Sequence, residues 1–300
     1  MLQTYDPRNA DILIHVNGAL LPRSQARISV FDSVVQGGDA VWEGLRVYPE
    51  GVLMLSRHLR RLRESAHALA FAGVPDEGAI RQALFDTLRA NGMTHDAHVR
   101  LTLTRGEKIT SGMDPRLNQH GCGLIVLAEW KPPVFDNSRG IRVITSSIRR
   151  MGPEVLDPKI HHNNLLNNIL AKLEANTAGV DAAVMLDRDG HVAELNDTNL
   201  FAIIGGALHT PTTTSCLGGI TRGLVVELAR GSGITVHERA ISVFEMMNAS
   251  AVFATGTMGE LTPVREIDGR RVGDASDDPL MTRLQGLFRS AVPALCEAEK

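Results

Sequence analysis

The 300-residue chain is short of several things, and each shortage removes a class of protein. Cysteine occurs only as Cys122, Cys216 and Cys296, with no CxxC spacing. A disulfide framework is excluded and a reducing cytoplasm is expected. No stretch approaches the roughly 18 apolar residues of a membrane span, and the N-terminus lacks the charged-then-apolar order of a signal peptide. Charge has no strong sign: 31 basic against 34 acidic side chains give −3, too balanced for a general nucleic-acid or membrane-surface binder. There is no internal repeat, no low-complexity tract, and no GxxxxGK[ST], HExxH, GxSxG or strand-to-helix GxGxxG. His95-Asp-Ala-His98 and His161-His162 stand without carboxylates at ligand spacing, and adjacent imidazoles chelate one ion poorly, so no metal is expected. Tyrosine is reduced to Tyr5 and Tyr48, and lysine to five residues against 26 arginines.

At 43% hydrophobic the chain can bury a sizeable core, and its length suits one large domain or two ordinary ones. Asn17-Gly18 between apolar runs predicts a hairpin, because both residues tolerate positive φ. Leu55, Leu59, Leu62, Ala66 and Leu69 have helical spacing, and Ile80–Leu88 reads as a second amphipathic helix ended by Gly92. Lys131–Gly140 has the prolines, glycine and short polar residues of an exposed linker. The expected organisation is therefore a small domain over 1–130, a linker over 131–140 and a large domain over 141–300. In the latter, Leu165–Leu173 marks a helix, Asp187–Gly190 and Gly205-Gly206 mark hairpins, and Thr221–Arg230 is a helix with Thr221 at its N-cap. Ser242-Val-Phe-Glu245 is a capping box. Strands dominate, with helices interspersed irregularly, which predicts an α+β fold in two lobes.

Two segments suit an anion. Gly218-Gly-Ile-Thr221 leads into a helix, whose first N–H groups lack intrahelical partners, and Thr255-Gly-Thr-Met-Gly259 follows a strand. Of the five lysines, Lys108, Lys131, Lys172 and Lys300 lie in polar, linker, solvated-helix or terminal contexts. Lys159, before an apolar helix, is the one whose surroundings suit a Schiff base.

Lys159, Asn163–Ala175, Asp187–Glu194, Asn199–Phe201, Leu217–Arg222 and Thr255–Val264 follow one another in an order and spacing that resemble the class IV (fold type IV) pyridoxal-phosphate aminotransferases, in particular the branched-chain aminotransferase-like group. The resemblance runs from Asn17-Gly18 to Ile267-Asp-Gly269. It implies the two-lobed fold of D-amino acid aminotransferase, with a smaller N-terminal α/β lobe and a larger strand-rich C-terminal lobe. It also implies pyridoxal 5′-phosphate as cofactor and a homodimer whose sites borrow a loop from the neighbour. Lys159 is then the Schiff-base lysine and proton shuttle, and Glu194 the partner of the pyridinium nitrogen. Arg61, Ile220, Thr221 and Thr257 bind the phosphate, and Leu217 lies on the cofactor ring. Trp42, Arg100 and Met258 face the substrate, with Arg100 preferred over Arg105 and Arg116 for a carboxylate.

The departures from the family fall where substrate is chosen. Asn164 or Leu165 stands where branched-chain aminotransferases place a tyrosine on the cofactor's phenolic oxygen. A second tyrosine position falls near Gly37, and the family's Tyr-x-Arg strand reads His98-Val-Arg100. The reaction implied is ping-pong transfer of an amino group from a small-molecule donor to a 2-oxo acid, with L-branched-chain amino acids as the default. A D-amino acid or (R)-amine transaminase is the alternative, and an aminodeoxychorismate-type lyase a further one.

Overall fold

The computed structural model describes residues 4–273 and 278–299, so Lys300 lies outside the described residues. The chain divides into two compact units.

The first unit comprises residues up to Pro132 together with Ile160–Asn164 and the C-terminal segment from Pro293. The hairpin of β1 (Leu13–Val16) and β2 (Ala19–Pro22) forms as expected, with Asn17 at φ 50° and Gly18 at φ 92°. A short helix α1 (Ser33–Gly37) precedes β3 (Ala40–Tyr48) and β4 (Gly51–Leu53). Helices α2 (Leu55–Ala68) and α3 (Glu77–Ala90) then lead to β5 (Ala97–Thr104) and β6 (Gly123–Trp130). Asp76 caps α3 by accepting the Ala79 N–H. The sheet is antiparallel, in the order C-terminal strand (Cys296–Glu297), β4, β3, β5, β6, β1, β2. Leu55, Leu59, Leu62 and Ala66 of α2 are fully buried, and their 3.6-residue spacing puts them on one face against this sheet.

One feature of this sheet positions the site. β4 pairs only with Val47–Tyr48 of β3, leaving the first residues of β3 without a strand neighbour on that side. Residues 161–163 occupy the gap: Trp42 N–H donates to the His161 carbonyl, and Asn163 N–H to that of Ala40.

The second unit holds Pro133–Lys159 and Leu165–Val292. Its mixed sheet is built from β7 (Ile141–Thr145), β8 (Ala182–Leu186), β9 (Val192–Leu195), β10 (Asn199–Ile204), β11 (Ala207–Thr210), β12 (Val236–Glu238), β13 (Ala251–Gly256), β14 (Glu260–Ile267) and β15 (Arg270–Arg271). The order is β12-β11-β10-β13-β14-β7-β8-β9, with β15 on β14. Its helices are α4 (Leu166–Thr177), α5 (Ile220–Gly231), α6 (Val243–Met247) and most of α7 (Pro279–Leu295). The capping box at Ser242 and Glu245 forms as expected and starts α6.

Several local expectations are corrected. Helix α4 turns its small side chains inward: Ala171 and Ala175 pack on Ala183 and Met185. Leu166, Ile169, Leu170 and Leu173 are exposed, so the apolar stripe lies on the outer face. The stretch 131–140 is not wholly exposed, because Phe135 is buried and Asn137 donates to the Gly259 carbonyl. Thr221 is not an N-cap: α5 begins at Ile220 and Gly219 caps it.

Candidate active site

In the second unit the site is built around Glu194. It stands on β9, 5% exposed, and its Oε1 accepts from Arg150 Nε at 2.5 Å. Burial pushes the Glu194 carboxyl up, against Arg150 and the Leu217 backbone, which hold it down. Asn199, at the start of β10, links this acid to the helix start. Its Nδ2 lies 3.3 Å from Glu194 Oε2 and 2.9 Å from the Leu217 carbonyl. Gly219 sits so close that a Cβ there would be 2.0 Å from Asn199 Oδ1. Glu194 and Leu217, just before α5, are thus tied together by one buried amide.

The cap of α5 carries no side-chain hydrogen bond, because Gly219 has no side chain to supply one. The helix therefore presents its leading N–H groups without a side-chain acceptor, the arrangement that favours an anion. On β13, the Thr255 hydroxyl oxygen is buried without a hydrogen-bond partner among the described residues. Thr257 and Met258 follow it, half-buried. Lys159 is exposed, and its Nζ pairs with Asp157 Oδ1 at 3.1 Å. Partial burial opposes ionisation of Asp157, but hydrogen bonds from Lys159 outweigh it and lower the carboxyl.

The first unit holds a second polar centre around Glu43, which is fully buried on β3. Arg61, from α2, grips it with two hydrogen bonds, Nε to Oε1 at 2.8 Å and Nη2 to Oε2 at 2.6 Å. His58 Nδ1 is 2.7 Å from Oε2, and His161 Nδ1 is 3.4 Å from Oε1 and 3.3 Å from Arg61 Nη2. Burial opposes ionisation of Glu43, but Arg61 overrides it and holds the carboxyl well below its usual range. His161 is pushed down to about 4 by burial, against the pull of Glu43, so it is neutral at pH 7. Its ring lies 4.2 Å from that of Trp42, whose indole N–H donates to the His162 carbonyl at 3.1 Å. Arg100 lies over the same indole, 3.8 Å from its centre, and donates to Asn163 Oδ1 at 2.8 Å.

The family described as Amino-transferase class IV matches residues 40–267, a span that contains both centres. This chain belongs to the class IV aminotransferases. It is 54% identical over 94% of its length to branched-chain-amino-acid aminotransferase-like protein 2 of Arabidopsis thaliana, and spans about half (51%) of that relative. It is 38% identical to a putative branched-chain-amino-acid aminotransferase of Methanocaldococcus jannaschii, over 92% of this chain and 95% of the relative. The solved branched-chain amino acid aminotransferase of Thermobaculum terrenum, in its PLP form, superposes with a TM-score of 0.83. It is 27% identical and covers 95% of either chain. The two-lobed α+β fold of the class IV aminotransferases is therefore the fold of this protein.

Within this class IV aminotransferase, Arg61 is neither a surface residue nor a lone cation, since its guanidinium is committed to Glu43. Lys159 makes no ion pair with Glu194; its carboxylate neighbour is Asp157. Arg105 is paired to Asp39, and Arg116, with a side chain 90% exposed, to Asp114. Sequence reasoning missed Glu43, Arg150, Asn163 and Asn199. Signals existed for Glu43, a carboxylate inside a largely apolar strand, and for Asn163 and Asn199, which open two of the motifs that carry the family resemblance. Arg150 acts through a partner 44 residues away, and Asn199 joins Glu194 to Leu217 across a turn, which periodicity does not reveal.

Proposed function

We propose that this chain is a pyridoxal 5′-phosphate-dependent transaminase that moves an amino group from an amino acid to a 2-oxo acid by ping-pong chemistry. The observation that carries the reading is the buried Glu194, with its carboxyl raised by burial and tied through Asn199 to the uncapped start of α5. The donor set fits the cofactor: a carboxyl for a ring nitrogen, open backbone N–H groups and Thr221 for a phosphate, and an accessible lysine amine for an aldehyde. When bound, the cofactor supplies an electron sink for the carbanion formed at the substrate Cα.

The protein's own groups do the rest. Lys159 would hold the cofactor's aldehyde group through its Nζ, and that amine, when free, would carry the proton away from the substrate Cα. Asp157, at 3.1 Å, orients that amine. Glu194 would pair with the ring nitrogen, and Arg150 fixes its carboxylate. In the second unit Ile220, Thr221 and Thr257 would bind the phosphate and Leu217 would face the ring; in the first, the sequence match makes Arg61 the candidate phosphate arginine. The substrate-facing candidates are Trp42 and Arg100 in the first unit and Met258 in the second. Arg100 faces a neutral amide instead of a carboxylate, which favours a donor and acceptor bearing a carboxyl group over a simple amine.

The names of the relatives support L-branched-chain amino acids as substrates. We also assign a homodimer, because Leu166, Ile169, Leu170 and Leu173 line one exposed face of α4. Three unpaired cysteines suit a reducing compartment such as the cytoplasm. The test is a half-reaction screen of the cofactor-loaded protein with L-leucine, D-alanine and both enantiomers of 1-phenylethylamine. The expected result is bleaching of the visible cofactor band by L-leucine. Bleaching only by D-alanine or the (R)-amine would overturn the substrate class. Pyruvate release from aminodeoxychorismate without an acceptor would make it a lyase.

A further inference from the structure

In the first unit, buried or half-buried arginines are matched with acids. Arg46 meets Asp96, Arg61 meets Glu43, Arg81 meets Glu297 and Arg105 meets Asp39. Arg100 breaks this pattern. No carboxylate among the described residues pairs with it; its hydrogen bond goes to the side-chain oxygen of Asn163. The strand residue paired with it on β3 is Gly44, which adds no side chain. Burial lowers the Arg100 pKa, with no anion to offset it.

Asn163 is itself fixed, since its backbone N–H donates to the Ala40 carbonyl at 2.8 Å. A guanidinium stacked on Trp42 and bonded to a neutral amide is oriented but keeps its full charge. An aspartate of the same size would hold it at least as firmly and neutralise it.

We infer that Asn163 is a positioning residue that aims the Arg100 guanidinium at an acidic group of the substrate while leaving its charge available. The inference rests on the reading of Arg100 as a carboxylate receiver, and the two fail separately. The probe is glutarate, a non-reacting dicarboxylate, as a competitive inhibitor of the cofactor-loaded enzyme. Its inhibition constant should rise about tenfold in Asn163→Asp, where a charge-assisted pair forms inside the protein, and about threefold in Asn163→Ala. The KM of the 2-oxo acid should rise in parallel while kcat and cofactor content stay within about twofold. A merely structural role would instead lower kcat and cofactor content as KM rises. If Asn163→Asp does not fold, Asn163→Ala decides alone. Glutarate binding within about twofold of wild type in the Asn163 variants, with Arg100→Gln weakened about tenfold, overturns the role of Asn163. Unchanged binding in Arg100→Gln overturns the role of Arg100 instead.

Discussion

Replacing Glu43 by Gln removes one charge and almost no volume from the centre of the first unit. The carboxylate is fully buried and receives two hydrogen bonds from Arg61 and one from His58. A glutamine keeps one oxygen, but its amide nitrogen faces an Arg61 donor in either orientation, Nε in one and Nη2 together with His58 Nδ1 in the other. One bond becomes a donor–donor conflict, and Arg61 loses its counter-charge. Removing one partner of a buried pair costs about 3–5 kcal/mol, and the retained oxygen puts this variant at the lower end, about 3 kcal/mol. That corresponds to a fall in Tm of roughly 10 °C. The internal control is Asp86→Asn, which breaks the exposed Asp86–Arg89 pair and should cost less than about 0.5 kcal/mol. Urea unfolding followed by circular dichroism gives both numbers. A double-mutant cycle with Arg61→Gln should show a coupling of about 2 kcal/mol. If Glu43→Gln and Asp86→Asn cost the same, the buried network does not hold the unit together.

Other outcomes follow from the same geometry. His161 is held down to about 4 and His98 to about 3, burial being the main cause for both. Both are neutral in the fold, while the unfolded chain takes up their protons near pH 6.5. Stability should thus be complete above about 6.5 and fall on the order of 3 kcal/mol by pH 4 from His161 alone. The urea midpoint against pH measures this slope, which His161→Asn should roughly halve because His98 contributes a similar amount; a flat wild-type profile refutes it. Gly219→Ala would place a Cβ 2.0 Å from Asn199 Oδ1, costing about 2 kcal/mol and weakening cofactor binding. Gly223→Ala, with nothing within 4 Å, should instead stabilise α5 by up to about 1 kcal/mol; equal effects would refute the steric argument. Leu170→Glu on the exposed face of α4 should shift a dimer to monomer in sedimentation, and an unchanged mass would place the interface elsewhere.

Much of the fold is legible in the sequence because it is local. The Asn17-Gly18 turn needs only two positive-φ residues, and α2 only its four buried apolar positions. Helix α4 misleads because periodicity reports an apolar face without saying what covers it. The long helix α7 escaped because its buried Met281, Leu284, Phe288 and Val292 follow a polar, proline-containing stretch. The return of 160–164 to the first unit is not legible in the sequence, because it depends on β4 being too short to cover β3. Lys159 stands out through its sequence neighbours, and Glu194 only through the family resemblance. What holds Glu194, through Arg150 and Asn199, is tertiary.

The central claim is that Lys159 carries pyridoxal phosphate. Loading the protein with cofactor, reducing it with borohydride and mapping the peptides by mass spectrometry tests that directly. A pyridoxyl group on Lys159, absent in Lys159→Ala, is the expected result. A stable adduct on Lys108, Lys131 or Lys172, or no adduct at all, would contradict it.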